Sequence, residues 1–132
     1  MVQMKLELVL LPVTDVDKAK AFYVEQVGFG VDVDVDRDGM RIVQLTPPGS
    51  ACSITLSKGI PEIDALPPGS VKSTHLLVLD VAEARAELIS RGVDVGEIEE
   101  HDGGSIKYAY FADPDGNTWA LQEMAWRMGD AF

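Results

Sequence analysis

Only two histidines occur in the 132 residues, His75 and His101, and they bound the acid–base chemistry open to this chain. An imidazole gains and loses a proton more readily near neutrality than other side chains, so it can serve as a general base or orient a ligand. His75 lies in an apolar run, residues 73–79, where a ligand or a neighbouring hydroxyl or carbonyl can satisfy it. Tyr108 and Tyr110 are two apart and share one face of a strand, where their rings meet either a ligand or the core. Gln122 can hydrogen-bond a ligand or point to solvent. Arg41 can meet an anion, although an exposed strand-edge charge is the plainer reading. His101 and Asp102 sit in a Gly-rich turn, which reads as an exposed loop rather than a metal clip.

Other patterns exclude chemistry. Asp34, Asp36, Asp38 and Gly39 match the opening of a calcium loop, but its twelfth position is Leu45, where a bidentate carboxylate is required. The acids therefore read as a solvated strand face. Cys52 is the single cysteine, which rules out an internal disulfide and an all-cysteine metal site and fits a reducing compartment. No Gly-rich phosphate loop precedes a helix, and no serine nucleophile elbow is present. With 22 acidic residues against 11 Lys and Arg, the net charge of -11 repels phosphate backbones and argues against nucleic acid as a partner. The same charge can attract a cationic small molecule or simply serve solubility. No stretch reaches the roughly 18 apolar residues of a membrane span, and the N-terminal run has no cleavage pattern, so a cytoplasmic protein is expected.

The elements that must position these residues follow from periodicity. Residues 5–13 read as a buried strand, and Asp15 as the N-cap of a helix whose apolar stripe is Val16, Ala19, Phe22, Tyr23 and Val27. Gly28 closes that helix. Residues 30–36 alternate Val with Asp, Asp38-Gly39 is a hairpin turn, and residues 40–45 and 51–56 are strands. A Pro- and Gly-rich linker follows. Residues 73–79 form a strand, and Asp80 caps a helix that ends at Gly92. Residues 93–98 form a weak strand, residues 101–104 a turn, and residues 106–112 and 118–124 the last strands, joined by a turn at 113–117. Each half thus reads β-α-β-β-β.

This is an internal repeat. Val13-Thr14-Asp15-Val16 matches Val78-Leu79-Asp80-Val81, and Lys18-Ala19-Lys20-Ala21 matches Glu83-Ala84-Arg85-Ala86. The expected fold is α+β: one domain of two tandem modules, 1–57 and 71–126, with a linker at 58–70 and a tail at 127–132. Each module supplies half of a curved mixed sheet around a central pocket.

The blocks Pro12 to Tyr23, Val27-Gly28-Phe29, Ala84 to Leu88, Arg91-Gly92-Val93 and Phe111 to Asn117 span most of the chain. In that order they resemble the vicinal oxygen chelate superfamily, which includes glyoxalases, bleomycin-resistance proteins and extradiol dioxygenases. The resemblance implies paired β-α-β-β-β modules and a homodimer. In its metal-dependent members, a His or Gln on the first strand and a Glu on the last strand of each half surround one divalent ion. Counted from the helix caps and late turns, those positions fall here on Leu8, Ser53, Ser73 and Ala120. Leu and Ala have no donor atom and neutral serine hydroxyls bind divalent ions poorly, so no metal cofactor is expected.

The same count makes Leu8, Leu10, Ser53, Thr55, Ser73, His75, Ala120 and Gln122 a ligand pocket, with Tyr108 and Tyr110 as candidates beside them. Trp119 is expected in the core, and Trp126 over a pocket mouth or a dimer partner. The expectation is a protein that binds a small hydrophobic or cationic molecule. The alternative is a metal-independent isomerase, epimerase, lyase or cyclase with His75 as general base; metal-dependent glyoxalase or dioxygenase chemistry is less favoured.

Overall fold

The computed structural model describes residues 1–132, which divide into two units, Met1–Ser70 and Val71–Phe132. The first unit contains β1 (Leu8–Leu10), α1 (Val16–Ala21) running on into a π-helical stretch (Phe22–Val27), β2 (Gly30–Arg37), β3 (Met40–Thr46), β4 (Ser53–Lys58) and a short α2 (Pro61–Asp64). Its sheet has the order β1-β4-β3-β2, with β1 parallel to β4 and the other pairs antiparallel. The second unit contains β5 (Thr74–Leu77), α3 (Val81–Ser90), β6 (Glu99–His101), β7 (Ile106–Ala112) and β8 (Thr118–Met124). Its order, β5-β8-β7-β6, repeats that of the first with the same directions. The expected α+β class holds: two mixed four-stranded sheets with a few helices.

Local rules account for the elements. The Asp15 carboxylate accepts the Lys18 N–H at 3.1 Å, and Asp80 accepts the Glu83 N–H at the same distance, each satisfying a helix donor that would otherwise lack a partner. Gly28 has φ 99°, and the N–H groups of Gly28 and Phe29 both donate to the Tyr23 carbonyl, which stops the helix. One face of each sheet forms the core. In the first unit it carries Val43, Leu45, Ile54 and Leu56, buried with Val16, Ala19, Phe22, Tyr23 and Phe29. In the second it carries Ala109, Phe111, Trp119 and Leu121, buried with Val81 and Leu88 of α3. Phe111 and Trp119 stack with centroids 6.2 Å apart. Each large apolar side chain removed from water there contributes about 1.5–3 kcal/mol.

Several expectations shift. The strand expected over residues 5–13 is paired only at Leu8–Leu10, because β4 offers partners only from Ser53 onward and Pro12 has no N–H to donate. The Val–Asp alternation of β2 does not keep one face: a bulge between Val31 and Val33 sets Val31 opposite Leu45 on the core side, while Val33 and Val35 pair with Gln44 and Ile42 on the other. The weak strand expected at 93–98 is absent. That segment is tied by single bonds, Gly96 N–H to the Tyr110 carbonyl at 2.9 Å and Arg85 to the Gly96 carbonyl at 2.7 Å, and the strand forms later, at Glu99–His101.

The last strand of the first unit extends two residues beyond the expected end, because Ile42 and Arg41 pair with Ser57 and Lys58. Gly59 then passes so close to the β2–β3 turn that a Cβ would overlap the Gly39 carbonyl oxygen. Its φ of 94° is a second reason for glycine there.

Candidate functional site

Strand pairing decides which side chains share the sheet face turned away from the core. In the second unit His75 pairs with Ala120 and Leu77 with Gln122, while Tyr110 pairs with Ala120 and Tyr108 with Gln122. These six residues alternate with the buried Ala109, Phe111, Trp119 and Leu121, so they lie on the face opposite the core. Tyr108 is the hub. Its ring stacks on Tyr110 at 6.0 Å and meets the edge of His75 at 5.6 Å. The Gln122 side-chain amide donates to its hydroxyl at 3.2 Å. The Tyr pair is therefore on the non-core face.

His101 joins this group. Expected in an exposed turn, it lies instead in β6, and its ring sits 5.5 Å from that of Tyr108. Glu99, paired directly with Tyr108, places a carboxylate oxygen 3.7 Å from His101 Nε2. The missed signal was period two: Glu99 and His101 are two apart, as are Tyr108 and Tyr110. Partial burial, the Glu99 charge and Tyr108 together push the Tyr110 phenol above its ordinary ionisation range. The resulting face is aromatic, with an acid at its margin, and suits flat apolar groups and cations.

Ser73 departs from expectation. It precedes β5 and has φ 57°, so strand alternation does not reach it. Its N–H donates to Thr118 Oγ1 at 2.8 Å, and its carbonyl lies 2.6 Å from His75 Nδ1. A carbonyl only accepts, so Nδ1 carries the proton and Nε2 is the free basic nitrogen of the neutral ring. By register the counterpart of Leu8, which pairs with Ser53, is His75, which pairs with Ala120. The count from the helix caps missed this because the β5–α3 connection is shorter than the β1–α1 connection.

In the first unit the equivalent face carries Leu8 and Leu10 beside Ser53 and Thr55, with Gln44 and Ile42 across from Thr55 and Ser57. Leu8 is partly exposed, whereas Ser53 and Thr55 are buried. Ser53 Oγ lies 2.6 Å from Thr46 Oγ1, and the Thr46 hydroxyl in turn donates to Asp32. Ser57, one residue past the strand end expected at 56, belongs to this strand and is buried. The β3 residue equivalent to Tyr108 is Gln44, because Gln44 pairs with Thr55 as Tyr108 pairs with Gln122. Arg41 lies on the core side, bonded to Asp34 and, at 2.7 Å, to Asp17. This holds the Asp34 carboxyl below its ordinary range, with a further contribution from Lys20, and the Arg41 guanidinium above its own. The acids of the calcium-like stretch thus include one in an ion-pair cluster.

The metal implied by the resemblance does not fit these residues. At the in-register positions, Leu8 and Ala120 have no donor and the Ser53 hydroxyl is engaged by Thr46, which leaves one imidazole. No group of three or more His, Cys, Asp or Glu side chains is placed to hold an ion. Trp119 is in the core as expected, and Trp126 is exposed beyond β8. No helix is long and apolar enough to cross a membrane.

Comparison with known proteins matches this architecture. The family model of the Glyoxalase/Bleomycin resistance protein/Dioxygenase superfamily matches residues 5–121, and the chain belongs to that superfamily. Among solved structures it is similar to TnmS3, an antibiotic binding protein from Streptomyces sp. CB03234, with 35% identity and a TM-score of 0.81 over 94% of this chain and 98% of that one. A glyoxalase/bleomycin resistance protein from the same organism shares 37% identity, with a TM-score of 0.74 over 89% of this chain and 98% of that one. A superfamily member from Sphaerobacter thermophilus DSM 20745 shares 33% identity, with a TM-score of 0.77 over 92% and 98%. No curated protein matches the chain.

Proposed function

We propose that this chain is a metal-free binding protein for a small apolar or cationic molecule, held on the aromatic face of its second unit. The observation that carries this is the Tyr108 cluster: two stacked phenols, two imidazole edges and a positioned amide on a sheet face not used by the core. A core needs only apolar volume, whereas this face combines ring surfaces with fixed polar groups, as ligand sites do. The donor-poor metal positions and the net charge of -11 support the same reading, as does the description of TnmS3 as antibiotic binding. Leu77, Ala120 and Gln122 belong to this ligand-binding face of the second unit, and Ser73 contributes its carbonyl to His75; Leu8, Leu10, Ser53 and Thr55 form the equivalent candidate face of the first unit by itself.

Fluorescence titration with naphthalene and with benzyltrimethylammonium tests the proposal. Saturable binding of either is expected, with the cation weakening as salt rises and with about tenfold loss in Tyr108→Ala. Absence of binding to both probes overturns it. A homodimer in the cytoplasm completes the proposal, and light scattering checks the stoichiometry.

The fixed tautomer of His75 favours one second reading. With Nδ1 on the Ser73 carbonyl, Nε2 of the ring that meets Tyr108 can take a proton next to a carbonyl, and the Tyr108 hydroxyl and Gln122 amide of the same face can hold the developing oxyanion, as in a metal-independent isomerase, epimerase, lyase or cyclase. Under that reading His75→Ala abolishes turnover and leaves the melting temperature unchanged; turnover that survives the substitution rejects it.

A further inference from the structure

Glu99 differs from its neighbouring acid in what neutralises it. Glu100 alternates to the opposite face of the sheet, where it lies 4.0 Å from Lys107, and Lys107 also reaches Glu123 at 3.8 Å. Glu99 has no Lys or Arg partner. Its ion-pair partner is His101, at 3.7 Å, whose charge comes and goes with a proton. The surroundings of Glu99 are aromatic. It pairs with Tyr108, whose ring stacks on Tyr110 at 6.0 Å with an interplanar angle of 23°. Burial first, and the Glu99 charge second, push the Tyr110 phenol above its ordinary range, so carboxylate and ring share one local field. β6 is an outer strand of its sheet, and the Glu99 and His101 side chains stay 56% and 52% exposed. Tyr110 is 36% exposed, so an acid and a ring stack are open to solvent side by side.

A cation placed against these rings and the carboxylate gains both the ring quadrupole and the Coulomb attraction, whereas a neutral molecule of the same shape gains only the ring contact. We infer that Glu99 makes the aromatic face of the second unit select an aromatic molecule bearing one positive charge, and that His101 is a built-in competitor that weakens this selection when protonated. With a neutral imidazole, the Glu99 charge is uncompensated and the ligand's ammonium group supplies the cation. With a protonated imidazole, the carboxylate already has its cation and a second positive charge is repelled. The other titratable groups around His101 are Tyr108 and Tyr110 on β7, Asp102 in the turn that follows it, and His75, which also meets Tyr108. Lys107 of β7 is on the opposite face. The inference rests on the binding reading above and adds the class of ligand and its regulation.

Fluorescence titrations with naphthylmethyl-trimethylammonium and with neopentylnaphthalene, its uncharged carbon analogue, test the selection. At about pH 8 the wild type is expected to prefer the cation by about tenfold. In Glu99→Gln most of that preference disappears, leaving about twofold from the rings alone. Wild type that binds both probes equally, or a preference unchanged in Glu99→Gln, overturns the inference and leaves the binding reading intact. Wild type that binds neither probe overturns the binding reading and the inference with it. Repeating the titrations at about pH 5.5 tests the competitor. The wild-type preference is expected to shrink there, to shrink less in His101→Gln, and to shrink as in wild type in His75→Gln. A preference equal at both pH values, or one that shrinks as much in His101→Gln as in wild type, overturns the role of His101. The wild-type comparison of two probes at two pH values stands without any variant, and circular dichroism checks that each variant is folded.

Discussion

The two sheets share strand order, strand direction and even the pairing of the first strand with the last, yet their faces away from the core carry different chemistry. Where the second unit has His75, Ala120, Gln122 and Tyr108, the first has Leu8, Ser53, Thr55 and Gln44 at the same register positions. One face is a stack of rings; the other is a row of hydroxyls among aliphatic side chains. The core-facing sides are alike, each an apolar sheet surface packed with a capped helix. A duplicated fold therefore keeps its core under one constraint, close packing, and is free to diversify the opposite face.

Truncation in the core gives the largest effects and should make the units look the same. Trp119→Ala is expected to destabilise by about 3–5 kcal/mol and Leu56→Ala by about 2–5 kcal/mol in denaturant unfolding. A core substitution that proves silent in one unit would break the symmetry argued for the cores.

The turns before the last strands provide a sharper contrast. In the second unit Asn117 is fully buried: its side-chain amide donates to the Asp113 carboxylate at 2.8 Å, and its carbonyl oxygen accepts the Val71 N–H at 3.1 Å. In the first, Ser50 is exposed, and its hydroxyl bonds the backbone of Cys52. Asn117→Ala is expected to cost about 2–3 kcal/mol, because buried partners are left unsatisfied. Ser50→Ala should cost about 0.5 kcal/mol or less. Equal costs would mean that the two turns are structurally equivalent after all.

The smallest effect concerns charge, which distinguishes the first unit. Asp34 bonds Arg41 and Lys20, and its carboxyl is held below its ordinary 3.8. A lowered folded-state value means that the ionised form stabilises the fold above the ordinary carboxyl range, and that this contribution is lost as pH falls through the folded value. Asp34→Asn should therefore melt slightly below wild type near neutrality. The gap should close as the pH drops below the carboxyl range, and it should shrink in high salt because the pair is exposed. A gap that widens on acidification would reverse the assignment.

Much of this was legible in the chain. The Asp15 and Asp80 caps, the Gly28 stop and the repeated order of elements follow from local rules that act within a few residues. The assignment of Trp119 to the core followed from strand period together with the pocket face that the resemblance implied. The site was less legible, because register between strands depends on partners far apart in sequence. Counting from the helix caps selected Ser73, but pairing with β8 selects His75. Local pattern ended that strand at residue 56, but pairing with Ile42 keeps Ser57 in β4. The Gly-rich turn concealed His101, which hairpin pairing brings to Tyr108.

Local sequence thus determined the elements, their repeat and the superfamily, since capping, periodicity and turn chemistry operate over short spans. Tertiary structure alone decided which side of each sheet a residue occupies beyond a bulge, which acid of β6 stands beside the tyrosines, and that both histidines gather on one tyrosine. Those outcomes depend on strand pairing between distant segments, and a shift of one residue in register reverses every side chain on the strand.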